Sequence, residues 1–256
     1  MSELTVTPDG RVLNVVFNRP AQHNAMTWTM YDGLYEACEY ADSDPGIGLM
    51  VLRGAGPRAF VAGTDIGQFA DFTCGEDGVE YEKRITRVLD RLAEVSVPTL
   101  AGVDGYCVGG GLAIAAVCDL RVATRSARFG VPIARTLGNC LSMQTCNLLV
   151  QHLGPSRTLD LVMNARMLSG DQAHDAGFVS ELVDDEEFAD TMDAAAERLL
   201  SHAPLTLWAI KQSVKEITRA SLPHGDDIVA QVYGSADFRT AVDAFRSKTE
   251  PQWQGR

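Results

Sequence analysis

Pro98-Thr99-Leu100-Ala101-Gly102-Val103-Asp104-Gly105-Tyr106-Cys107-Val108-Gly109-Gly110-Gly111, continuing through Leu112-Ala113-Ile114-Ala115-Ala116-Val117-Cys118 into Asp119-Leu120-Arg121-Val122-Ala123, is the stretch that decides the fold. Leu100–Val103 reads as a short buried strand, the small-residue run from Gly111 to Cys118 as a helix, and Asp119–Ala123 as the next strand. Strands separated by a helical interval make a crossover unit, which favours an α/β core over a β-sandwich. Upstream, Ile47–Arg53 is a β-rich run closed by Gly54-Ala55-Gly56-Pro57. Val12–Phe17 is another, followed by Asn18-Arg19-Pro20 and a helix over 25–41.

Downstream the pattern turns helical, with segments expected over 143–152, 156–163, 169–176, 186–201, 205–218 and 236–247. Phe178–Val183 reads as a short strand or extended connection, and Asp184-Asp185-Glu186-Glu187 suits a helix start, where negative charge meets the positive end of the dipole. No low-complexity linker interrupts the chain. The expected organisation is an α/β core over 1–195 and a helical C-terminal lobe over 196–256.

Its 256 residues carry 34 acidic side chains against 22 Lys and Arg, a net charge of -12. Such a field disfavours nucleic acid and anionic membranes, although a local cradle of backbone N–H groups can still hold an anion. The start Met1-Ser2-Glu3-Leu4 has no basic or apolar leader character, and no run reaches the roughly 18 apolar residues of a membrane span. Six cysteines without CxxC spacing indicate reduced thiols and a cytoplasmic protein. The five histidines form no HxxxH or HxH pattern, so no metal site is expected.

Two glycine-containing loops follow apolar segments: Phe60-Val61-Ala62-Gly63-Thr64-Asp65-Ile66 and Gly105–Leu112. The second opens a helix, where first-turn N–H groups are free to meet a polarised oxygen, although a glycine run also serves close helix packing. The order is not GxGxxG, and no G-K-[ST] follows, so neither a dinucleotide fingerprint nor a P-loop is present.

These pieces, with Asn24-Ala25-Met26, Ala127-Arg128-Phe129-Gly130-Val131-Pro132, Leu168-Ser169-Gly170-Asp171-Gln172-Ala173, Gly177-Phe178-Val179 and the ending Pro251-Gln252-Trp253-Gln254-Gly255-Arg256, resemble the enoyl-CoA hydratase/isomerase family of the crotonase superfamily over nearly the full chain. The resemblance implies a spiral of repeated β-β-α units with a helical C-terminal trimerisation region, assembled as a homotrimer or a dimer of trimers. It implies an acyl-CoA substrate, with coenzyme A entering as part of the thioester and no tightly bound cofactor. Thr64 and Gly110 would give their backbone N–H groups to the thioester carbonyl. Ala62, Asp65, Ile66 and Gly67 would border the coenzyme, and Asn24, Ala25 and Met26 would cover its nucleotide.

The family's hydratase pattern also carries two glutamates, which fall here at Ala113 and Ile133. Alkyl side chains exchange no protons, so the two-glutamate mechanism does not transfer. Replacement groups are sought in Arg135, which would bind an acyl carboxylate or a coenzyme phosphate, and in Asn139, Cys140 and Ser142. Asp71, Glu76, Asp77, Glu80 and Glu82 surround an expected lid that would deliver a substitute base. Asp65, Asp119 and Arg121 are expected to be structural, and Tyr106 and Cys107 to be wall or packing residues. The sequence thus points to an acyl-CoA enzyme with altered proton-transfer machinery, performing hydration or isomerisation. Thioester hydrolysis, decarboxylation and noncatalytic acyl-CoA binding remain as alternatives.

Overall fold

A computed structural model describes residues 2–219, 225–251 and 253. Gln252, Gln254, Gly255 and Arg256 of the family-like ending lie outside the described residues. The chain opens with β1 (Leu4–Asp9), antiparallel to β2 (Val12–Phe17). In β2 the residues Leu13, Val15 and Phe17 alternate into the core, whereas β1 is an edge strand exposed along most of its length. Helix α1 (Trp28–Ser43) begins after Thr27, whose side chain accepts from Met30 N. This cap, rather than Ala25, fixes its start.

Thereafter the chain repeats one move: a strand in a large sheet, a strand in a small sheet, then helix. The pairs are β3 (Leu49–Gly54) and β4 (Ala59–Ala62) before α2 (Gly75–Glu94), β5 (Thr99–Val103) and β6 (Tyr106–Val108) before α3 (Gly110–Val117), and β7 (Leu120–Thr124) and β8 (Arg128–Gly130) before the short α4 (Ile133–Thr136) and α5 (Met143–Met163). Strands β9 (Met167–Ser169) and β10 (Glu181–Val183), separated by α6 (Gly170–Asp175), close the small and the large sheet respectively. Among the described residues the large sheet runs β1-β2-β3-β5-β7-β10 and the small one β4-β6-β8-β9. β2, β3, β5, β7 and β10 are parallel neighbours in that order, as are β4, β6 and β8. This is the β-β-α spiral of the crotonase fold.

The C-terminal part comprises α7 (Phe188–Ser201), α8 (Pro204–Arg219), α9 (Asp226–Tyr233) and α10 (Ala236–Ser247). The expected boundary at 195/196 falls inside α7, whose Met192, Ala195 and Leu199 are buried with Leu49, Val51, Leu100 and Val122 of the large sheet. The acidic run becomes a 3-10 turn, Asp185–Glu187, leading into α7. α5 is broken at Gly154, which has φ 75° and ψ 161° and precedes Pro155, matching the two separate helical segments expected there. The expected lid over 71–82 is corrected by the structure. From Gly75 onward it is the helix α2, with Tyr81, Glu82, Ile85, Val88, Leu89 and Leu92 on its buried face.

Candidate active site

A cavity of about 260 Å³ opens where the ends of β4 and β6 meet α2, α3, α4 and α10. At one end stand the two expected N–H donors. Met26 N donates to Gly63 O and Asp65 N to Met26 O, each at 2.9 Å, a bridge that skips the Thr64 amide. Gly109 N donates to Gly130 O at 2.9 Å, so Gly110 becomes the first residue of α3, too early for an intrahelical acceptor. Neither Thr64 N–H nor Gly110 N–H has an acceptor among the described residues, and both residues line the cavity. A hollow of about 650 Å³ between α2, α3, α5 and α8 is larger but holds neither of these donors.

The Thr64 side chain is fixed by two tyrosines that sequence reasoning missed. Its Oγ1 lies 2.8 Å from Tyr31 Oη and 2.7 Å from Tyr81 Oη. Burial raises both phenols above their ordinary range, so they are neutral hydroxyls at physiological pH. Asp65 fixes the loop from the other side, its Oδ1 accepting from Gly67 N at 3.0 Å and its Oδ2 meeting Arg19 at 2.9 Å. Arg19 in turn donates to Ala25 O at 2.6 Å.

Asn24 is buried, and its amide is used within the chain: Oδ1 accepts from Arg19 N, and Nδ2 donates to Ala59 O and Ala55 O. Met26 is also buried, and Ala25 is half-buried. Asn24 and Met26 therefore shape the loop from behind and present no side chain to solvent. Ala62 and Ile66 line the cavity, whereas Gly67 is exposed outside it.

Of the five acidic candidates, only Glu82 reaches the cavity wall. Asp71, Glu76 and Glu80 are exposed, and Asp77 caps α2 by accepting from Thr73 N and Cys74 N. Glu82 Oε1 accepts from Tyr233 Oη at 2.8 Å, and Oε2 accepts from Ser142 N at 3.2 Å. Burial pushes its carboxyl up from 4.5 to about 7, against the opposing pull of those two donors. Among the described residues it is the only carboxylate on the wall, and no Lys, Arg or His lines the cavity.

Ala113 and Ile133 line the same wall as apolar surface. Asn139 lines it too, its Nδ2 donating to Tyr233 Oη at 3.0 Å. Arg135 does not: it is exposed on α4, outside the cavity, because that short helix turns Ile133 inward instead. Cys140 lines the cavity, but burial pushes its thiol to about 12, which leaves no thiolate to act as a nucleophile at neutral pH. Ser142 caps α5 by accepting from Thr145 N.

Away from the cavity, Tyr106 is exposed and Cys107 buried. Asp119 accepts from Thr99 N and pairs with Lys211, and buried Arg121 donates to the carbonyls of Ala115, Cys118 and Phe178. Among the described residues no cluster of three or more His, Cys, Asp or Glu could hold a metal.

Strand pairs shared between two largely parallel sheets, with a pair of free N–H groups at one end of a cavity, define a protein of the crotonase class. The chain belongs to the enoyl-CoA hydratase/isomerase family, whose profile matches residues 8–256. It is 30% identical to the 2,3-dehydroadipyl-CoA hydratase of Escherichia coli over the full length of both chains. It is 31% identical to the 1,2-epoxyphenylacetyl-CoA isomerase of the same organism, covering 96% of this chain and 95% of the relative. In fold it superimposes on a methylmalonyl-CoA decarboxylase with a TM-score of 0.90 at 23% identity, covering 100% and 99% of the two chains. Enzymes of this family act on coenzyme A thioesters without a tightly bound cofactor.

Proposed function

We propose that the protein isomerises the double bond of an enoyl-CoA thioester, with Thr64 N–H and Gly110 N–H polarising the carbonyl and Glu82 moving the proton. The observation that carries this reading is the lone buried carboxyl on the cavity wall, poised at about 7. A carboxylate can take a proton from the carbon next to the carbonyl, and the N–H pair holds the resulting enolate oxygen, each donor contributing roughly 3 kcal/mol in the transition state. Returning the same proton two carbons further along completes the shift with no water consumed. Hydration is ordinarily shared between two carboxyl groups, and among the described residues the wall offers no second carboxyl and no Lys, Arg or His.

In this reading Ala62, Ile66, Asp65, Gly67 and Ala25 border the coenzyme, Asn24 and Met26 support that border from within, and Asn139 belongs to the acyl wall. Arg135 is left out of the acyl pocket. The protein works as a homotrimer or a dimer of trimers, in keeping with the exposed Leu205, Trp208, Ile210, Val214 and Ile217 of α8. A cytoplasmic site of action suits its six cysteines, none of them in a disulfide.

A set of 3-enoyl-, 2-enoyl- and saturated acyl-CoA thioesters, followed for conjugation and for water addition, tests the assignment. Conversion of 3-enoyl to 2-enoyl thioester is expected, reduced roughly 100- to 10,000-fold in Glu82→Gln. Water addition without a double-bond shift, or tight binding without turnover, would overturn it.

A further inference from the structure

Tyr233 comes from α9, in the C-terminal lobe, yet its hydroxyl ends on Glu82 of α2. The contact between these helices is built for that reach. A Cβ placed on Gly78 would lie 2.1 Å from Tyr233 Cγ, and one on Gly75 would lie 1.9 Å from Ala230 O. Only hydrogen at those two positions lets α9 settle deeply enough for the phenol to pass behind α2. Tyr233 is buried and does not line the cavity, so it touches Glu82 but not the acyl space.

We propose that Tyr233 is the positioning residue that sets the orientation and proton affinity of Glu82, with Asn139 directing the Tyr233 hydroxyl; this rests on reading Glu82 as the proton-transfer group. The phenol has one proton. Asn139 Nδ2 already donates to its oxygen at 3.0 Å, so that proton is aimed at Glu82 Oε1, 2.8 Å away. A donor held on the carboxylate favours the charged form and opposes the desolvation that favours the neutral one. Ser142 N does the same for Oε2, leaving the carboxylate gripped at both oxygens.

The other titratable groups facing Glu82 are Tyr31 from α1, Tyr81 from α2, Cys140 ahead of α5 and Cys146 within it. All are pushed upward, as Tyr233 itself is, so none changes charge near neutral pH. Around that pH the hydrogen bond from Tyr233 is thus the adjustable element. A phenylalanine would fill the same space among Phe69, Phe72, Tyr81 and Phe238, so packing alone does not require the hydroxyl.

The test uses the full chain labelled with ¹³C at the glutamate carboxyls, the Glu82 signal being the one that titrates near neutrality and vanishes in Glu82→Gln. In Tyr233→Phe its midpoint is expected to rise by about one pH unit. The acidic limb of kcat/KM for the double-bond shift should move with it, while KM holds. Asn139→Leu should shift the midpoint the same way by less, and it gives the readout if Tyr233→Phe does not fold. An unchanged Glu82 midpoint in a folded variant would overturn the proposal. A shifted midpoint in a protein whose turnover ignores Glu82→Gln would uphold the linkage and sink the isomerase reading instead.

Discussion

Glu82 is a carboxyl that keeps its proton to about 7 because burial strips water from it, and among the described residues the cavity wall supplies no Lys, Arg or His to offset that. That has a price in stability with a definite sign. The unfolded chain releases this proton near 4.5 and the folded chain near 7, so the associated stability is complete below 4.5 and is lost as pH rises through 7. Glu82→Gln carries no such dependence. Relative to wild type, its unfolding free energy should climb by on the order of 3 kcal/mol between acid and alkaline conditions. Urea melts at several pH values would show this, and a constant difference would contradict it. At this scale the sequence offered five carboxylates around one segment but did not show which of them faces the cavity. The choice depends on which side of α2 faces the cavity and on a tyrosine 151 positions away. Thr64 and Gly110 were singled out through the family resemblance of their loops; the glycine run before α3 by itself allowed close packing as well as a backbone donor.

Helix α2 was not recognised in the sequence: its first turn is glycine-rich and acidic, and its larger apolar residues begin only at Tyr81. Its glycines serve contact with α9, which sequence reasoning did not find, since a helix of eight residues gives few turns to read. Gly78→Ala should therefore force the helices apart and cost about 3 kcal/mol or more by overpacking, measurable by thermal or chemical denaturation. Gly154 offers a contrast. Nothing lies within 4 Å of a Cβ built there, so Gly154→Ala should cost about 1–3 kcal/mol through backbone strain alone, with turnover unchanged at temperatures where the protein stays folded. Strands β3, β5 and β7 of the large sheet were legible because their apolar runs are buried on both faces. Strands of three or four residues, such as β6 and β8, were not, since so few positions establish no alternation.

For the molecule as a whole, α8 presents an apolar surface that the described residues leave uncovered, with Leu205 and Ile217 each more than 75% exposed. Apolar side chains gathered on one element mark an association surface. Ile210→Glu combined with Ile217→Glu should reduce the sedimenting species to a smaller one, and an unchanged sedimentation coefficient would remove α8 from the interface. The spiral itself limits the chemistry. Across the small sheet Ala62, Val108 and Gly130 stand in one row, and the residues two steps beyond them are Thr64, Gly110 and Pro132. The first two turns of the spiral each end in an available N–H. The third ends in proline, which has none. The same architectural address that twice yields a donor yields at its third occurrence only a piece of cavity wall. In the proposed reading of Thr64 and Gly110 as the donors to the carbonyl oxygen, the third turn of the spiral adds no backbone N–H to them at the equivalent position.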